Sequence, residues 1–404
     1  MSALTANPGS PSHSRARITS IDLLRGLIMI IMALDHVRDY FHRDALLYSP
    51  TDLGKTTGIL FFTRWITHYC APLFMFLSGT SASLVGERKT IPELSSFLLK
   101  RGIWLVFLEF TVVRVGWYFN LFAHEIDFIV IWALGFSMIV LALLVRLPRR
   151  FILVFGLVLV FGHNLLDSIR VSGGGVGAFL WSLVHVPNFV PWHGYLITTI
   201  YPVVPWIGVM ALGYCMGALY KAGFPPERRR RILLQLGFAA IGLFIVIRYI
   251  NHYGDPSHWK AMPSAFFTLL SFINTSKYPP SLLYLLMTLG PALLFLAWSE
   301  NAQGRFSRQV MIYGRVPMFY YILHIYLLHL IAVIATTFCG HSPGDMILDH
   351  FIGLEDTPAL HGYGFSLGVT YGVWALVVLI LYLPCRWYDR YKRGHKEKWW
   401  LSYI

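Results

Sequence analysis

Charge is what this 404-residue sequence has least of. Asp, Glu, Lys and Arg together make up 13% of it, about half the share of an average soluble domain. With 56% hydrophobic residues and a mean hydropathy of +0.58, too little polar surface remains for a protein wetted on all sides. Acids are scarcest, 20 against 33 Lys and Arg, for a net charge of +13. The basic residues stand between apolar runs rather than on an amphipathic or aromatic-interleaved patch, which excludes a nucleic-acid partner. Only four cysteines occur, Cys70, Cys215, Cys339 and Cys385. They have no CxxC or Cys/His ligand spacing, which excludes a disulfide framework and structural zinc. GxSxG, Walker and GxGxxG motifs are absent, as is any fixed-period repeat.

What the sequence has is apolar runs of about 20 residues, recurring from Ile21 to Leu383, each long enough to cross ~30 Å of hydrocarbon. Hydropathy and turn residues place ten spans: Ile21–Phe41, Ile59–Val85, Phe97–Phe119, Ile126–Val145, Phe151–Ile169, Thr199–Tyr220, Ile232–Ile250, Ser281–Trp298, Val310–Phe338 and Phe365–Leu383. The expected fold is an all-α polytopic transmembrane bundle in one domain, residues 20–384. A tail, residues 1–19, precedes it and a basic tail, residues 385–404, follows. The first run is too long for a signal-peptide core and lacks an A-x-A site, so it stays as a span. With the N-terminus in the cytoplasm, Arg88, Lys89, Arg146, Arg149, Arg150, Arg228–Arg231, Arg305, Arg308 and the basic tail all fall on one side. That charge bias predicts a multi-pass inner-membrane protein with both termini cytoplasmic. The long outer loops 173–195, 251–280 and 340–364 read as functional or flexible, with Gly173–Gly175 a flexible turn.

Polar residues inside the spans carry the chemistry, because a charge near the bilayer centre costs about 2.5–3.5 kcal/mol on insertion scales. In the first span Asp22, Arg25, Met29, Met32, His36 and Asp39 share one face at about 100° per residue. Two readings fit: a lined cavity, or an Asp22–Arg25 staple with His36 near the outer interface. The second span sets Arg64 and His68 at i, i+4 with Pro72 beyond, which can open the helix. The ninth span stacks Pro317, Tyr320 and His324 on one side and turns His329 about 140° away. At 1.5 Å per residue, His36, His68, His163 and His324 all reach the outer half of the membrane, which predicts one shared site. Asp39 is placed to fix the tautomer of His36, and Asp167 that of His163. A metal fits poorly, since each His comes from a different span and no HxxxH or HxxE pair occurs.

These residues resemble a known family. SIDLLRGLIMIIMALDH at Ser20–His36, APLFMFLSGTSASL at Ala71–Leu84 and the basic start of the third span at Lys100 and Arg101 are similar to bacterial proteins with a heparan-α-glucosaminide N-acetyltransferase catalytic domain. The resemblance is looser at YPVVPWIGVMALGYCMG from Tyr201, KYPPSLLYLLMTLGP from Lys277 and GRVPMFYYILHIYLLH from Gly314. The Arg25-to-His36 spacing of eleven residues also resembles the opening of acyltransferase family 3. In the lysosomal heparan enzymes the His36 position is usually Asn and the catalytic His lies further on. This sequence has His42 and then Leu47 in that region, so that role does not transfer.

The resemblance implies a transmembrane acyltransferase. Cytoplasmic acetyl-CoA or another acyl-CoA would be the donor substrate, with no permanently bound cofactor, and the acceptor a glycan or glycolipid on the far side of the bilayer. His36 with Asp39 would be general base, His68 or Arg64 oxyanion stabiliser, and Arg25, Arg64, His324 and Tyr320 substrate-binding. An acyl-imidazole intermediate is the alternative route. A transporter or flippase is the alternative function, because buried Arg, His and Asp beside Pro-interrupted helices also describe a translocation path. A membrane scaffold is the third. The residues leave the oligomeric state, a homodimer included, open.

Overall fold

The computed structural model describes residues 18–171, 173, 175–350 and 358–402. The expected tail as far as Arg17, Gly174, and the middle of the 340–364 loop lie outside the described residues.

Fifteen α-helices follow in chain order among the described residues. They are α1 Thr19–Phe41, α2 Gly58–Thr67, α3 Cys70–Gly86, α4 Ile91–Leu108, α5 Arg114–Tyr118, α6 Val130–Leu144, α7 Arg149–Gly162 and α8 Val176–Val184. The second half holds α9 Val203–Met216, α10 Pro226–Ile250, α11 Ala265–Ile273, α12 Leu282–Trp298, α13 Arg305–Arg315, α14 Pro317–Phe338 and α15 Leu367–Gly394. The fold is the expected all-α polytopic bundle. Among the described residues six helical stretches are long and apolar enough to cross a membrane: α2–α3, α7, α9, α10, α14 and α15. The shorter apolar helices α6 and α12 accompany them, as do α1 and the α4–α5 rod, which carry charged residues.

Burial separates core from rim. In α9, 72% of the most apolar stretch is buried inside the protein, against 17% in α15. Apolar residues such as Leu376, Leu379 and Leu383 on α15 face outward, as lipid-facing side chains do.

Two expected spans are broken. The second divides between α2 and α3 at His68 and Tyr69, and the ninth between α13 and α14 at Val316. Proline accounts for both breaks: it cannot donate to a preceding turn, and Pro72 and Pro317 each sit in the first turn of a new helix. The tenth expected span, α15, instead runs on past Leu383 to Gly394, so the first part of the expected basic tail is helical, with Tyr388 and Asp389 buried.

A small sheet stands at one end of the bundle: β1 Glu125–Phe128, β2 Asn188–Trp192 and β3 Tyr195–Thr199. β3 pairs with β1 in parallel and with β2 as an antiparallel hairpin. The hairpin turns at His193 and Gly194, both at positive φ, which a two-residue turn requires. We call this end the loop face. The opposite end, the basic face, holds Thr19 and the end of α15.

α1 packs against α13 at backbone distance. A Cβ on Gly314 would overlap the Asp22 carbonyl, and one on Gly26 the Val310 carbonyl. Small residues at both crossing points are what let membrane helices approach so closely. Gly314→Ala is expected to cost about 1–3 kcal/mol of stability through overpacking, measured as a lowered thermal midpoint of the detergent-purified protein. An unchanged midpoint would mean the two helices can part freely.

Candidate active site

On α1 the polar stripe lies inward. Asp22 is buried, and Met29 and Met32 lie in the core. Arg25 approaches Asp22 at 3.7 Å and donates to Ser81 Oγ at 2.7 Å and to the Gly314 carbonyl at 3.2 Å. The Asp22–Arg25 staple exists, and Arg25 also lines a cavity.

His36 Nδ1 lies 2.7 Å from His324 Nε2. His324 Nδ1 lies 3.1 Å from the Tyr320 carbonyl. A carbonyl only accepts, so Nδ1 of a neutral His324 carries its proton and Nε2 is bare. That bare nitrogen accepts from His36 Nδ1–H, which leaves the lone pair of His36 on Nε2. His36 lines the loop-face chamber, a cavity of about 170 Å³, and the ring nitrogen it turns to His324 is Nδ1. Trp117 stands edge-on to the ring at 4.8 Å.

The expected partner of His36 is thus corrected. Asp39 does not orient it; its Oδ1 accepts from Arg38 at 2.5 Å, and His324 holds the tautomer instead. Tyr320 contributes its carbonyl and stacks on His324 at 5.3 Å between centroids.

His68 does not join the pair. It caps the end of α2, its carbonyl accepts from Tyr284 at 2.7 Å, and it is not among the residues that line the chamber. His163 is also elsewhere, with Nε2 2.8 Å from the Pro280 carbonyl. Asp167 serves His185 rather than His163. Two of the four expected imidazoles meet, because depth fixes height in a bundle but not the angular position of each helix.

Arg64 is brought to the chamber, where it bonds both oxygens of Asp35. Asp35 is the residue that helical spacing missed. Arg38 Nη1 approaches it at 2.8 Å and Lys277 Nζ at 3.6 Å, so three cations gather on one buried carboxylate. Asp127 and Tyr118 form another wall, the tyrosine donating to Asp127. Burial and the neighbouring Glu125 push the Asp127 carboxyl up to about 7.

A row of cavities links this chamber to the basic face. The chamber shares Val130 and Tyr321 with a narrow neck of about 80 Å³, walled by Met29, Phe74, Leu105, Met138 and Met318. The neck shares Arg25 and Arg101 with a cavity of about 240 Å³, which also touches Arg315. That cavity shares Arg25 and Lys392 with a mouth of about 740 Å³, lined also by Arg88 and Lys89. The row is cationic at its mouth, mainly apolar in its neck beyond Arg25 and Arg101, and polar at its end.

Fold and site together define a polytopic helical membrane protein with a row of cavities between its two faces. Residues 17–253 match the family of the heparan-alpha-glucosaminide N-acetyltransferase catalytic domain, and the chain belongs to that family of transmembrane N-acetyltransferases. No curated protein matches the chain. The family match spans His36 and Arg64 but ends before Lys277 and His324, which complete the site from the second half of the chain.

Proposed function

We propose that this protein moves an acetyl or other acyl group from acyl-CoA, entering on the cytoplasmic side, to a sugar or other envelope glycoconjugate on the opposite side. The basic face is then cytoplasmic, in the inner membrane, with both termini on that side. The His36–His324–Tyr320 relay carries this reading, because it leaves a bare Nε2 in the chamber. The path supports it. Its charges, Arg25, Arg88, Lys89 and Lys392, suit the phosphates of CoA. Its apolar neck suits the pantetheine arm, and the chamber the thioester.

In the reaction, His36 Nε2 removes the proton of the acceptor hydroxyl or neutral amine as it attacks the thioester carbonyl. The carbon–sulfur bond breaks, and the imidazolium returns that proton to the departing sulfur, so CoA leaves as the thiol.

Thermal stability of the purified protein titrated with acetyl-CoA, followed by transfer of radiolabel to vesicle-enclosed amino sugars, tests the reading. Stabilisation of about 2.7 kcal/mol is expected at a hundredfold excess over Kd. Counterflow of amino sugar without CoA, and no stabilisation, would point to transport instead.

The neck gives a separate prediction. Met318→Trp is expected to cut transfer on the order of 10²-fold by misplacing the thioester, while adenosine 3′,5′-bisphosphate, which has no arm, still stabilises the variant. Equal transfer in variant and wild type would rule out the neck as the route.

A further inference from the structure

Three cations and three carboxylates line the chamber, and two of the cations keep unused donors. Arg38, Arg64 and Lys277 face Asp35 and Asp39. The third carboxylate, Asp127, lies on another wall and accepts from Tyr118. The unused donors are localised. Arg38 is 3% exposed, yet its Nε has no partner. Lys277 is 8% exposed, and its ammonium meets only Asp35 at 3.6 Å and the Tyr278 ring at 5.1 Å.

The chain invests in holding Lys277 there. Buried Arg248 donates to the carbonyls of Ser257, Ser271, Phe272 and Asn274. Asp255 accepts from the Ser257 and Ser276 amides and from the Ser276 and Ser281 hydroxyls. His163 Nε2 pins the Pro280 carbonyl, and Asn164 the Leu282 amide. Segment 251–281 is thus a fixed strut, and it ends in a buried cation with spare donors.

We propose that Arg38 and Lys277 form an anion site that holds a permanently charged group of the acceptor, a carboxylate, phosphate or sulfate carried on the sugar, beside His36. The inference rests on the acyl-transfer reading for the identity of the occupant. The donor cannot supply the charge, since its phosphates belong at the far end of the path and its thioester is neutral. The oxyanion of the reaction forms only transiently, whereas the spare donors are present in the resting protein.

Two measurements on the full chain test the site. In the first, inorganic phosphate is titrated by thermal shift with CoA present to fill the basic mouth. The half-saturating phosphate concentration is expected to rise about tenfold or more in Lys277→Met, the factor of one lost charge-assisted contact, and to recover in Lys277→Arg. Equal titrations in wild type and Lys277→Met, or no phosphate effect in either, overturn the proposal.

In the second, kcat/KM is compared for glucosamine 6-phosphate and glucosamine. Their ratio is expected to fall about tenfold in Lys277→Met, through KM. Equal losses for both sugars, through kcat, would assign the cations to the reaction's oxyanion and overturn the acceptor site. If no form of the protein transfers acetyl groups, the acyltransferase reading fails, and the phosphate titration still decides the anion site.

Discussion

Replacing His36 by Ala is expected to reduce acetyl transfer roughly 10²- to 10⁴-fold, the usual worth of a positioned general base. The measurement is label transfer from radiolabelled acetyl-CoA in vesicles; a wild-type rate would sink the assignment. His324→Ala is expected to lose a large part of the same factor although it does not face the reacting atoms. Without His324, nothing fixes the proton of His36 on Nδ1, and the ring can present N–H to the acceptor instead of a lone pair. Asp39→Asn is expected to matter far less than His324→Ala, because Asp39 binds Arg38. A ranking with Asp39 above His324 would overturn the relay.

The bundle was legible because its signal is carried by composition. Twenty-residue apolar runs dictate spans wherever they occur; Pro72 and Pro317 divided two of them, and the expected fourth span opens in β1 before α6 begins at Val130. The small sheet escaped notice for the opposite reason. Its strands are five residues or fewer, although the β-branched run Ile197–Thr199 after the His193–Gly194 turn carries the signal of a hairpin.

In the site, His36, Arg25 and Arg64 were legible because each is a costly group inside an apolar run. The relation between His36 and His324 was half legible, since depth placed both at one level. What spacing could not give is partnership across the chain. Asp35 lies one residue, or about 100°, off the stripe that picked out His36, so a one-face rule discarded it. Its partners Arg64 and Lys277 come from another helix and from a loop 242 residues away. Lys277 read as a loop charge; only the strut built on Arg248 and Asp255 brings it inside.

Asp35 is where removal should cost most. Its carboxylate is buried at 8% exposure against Arg38, Arg64 and Lys277. Breaking a buried ion pair by deleting one partner leaves uncompensated charge, with a penalty of about 3–5 kcal/mol, and here three cations are orphaned together. Asp35→Ala is therefore expected to lower the thermal midpoint and the yield of folded protein more than His36→Ala, which removes no charge from a neutral relay. The cause can be separated from simple loss of packing. In Asp35→Asn the shape is nearly kept, so a similar loss there indicts the charge. Adding Lys277→Met to Asp35→Asn removes one of the orphaned cations, and the double variant is expected to be more stable than Asp35→Asn alone. Independent sites would give additive losses; losses that add would show that Lys277 does not depend on Asp35 for its place in the chamber.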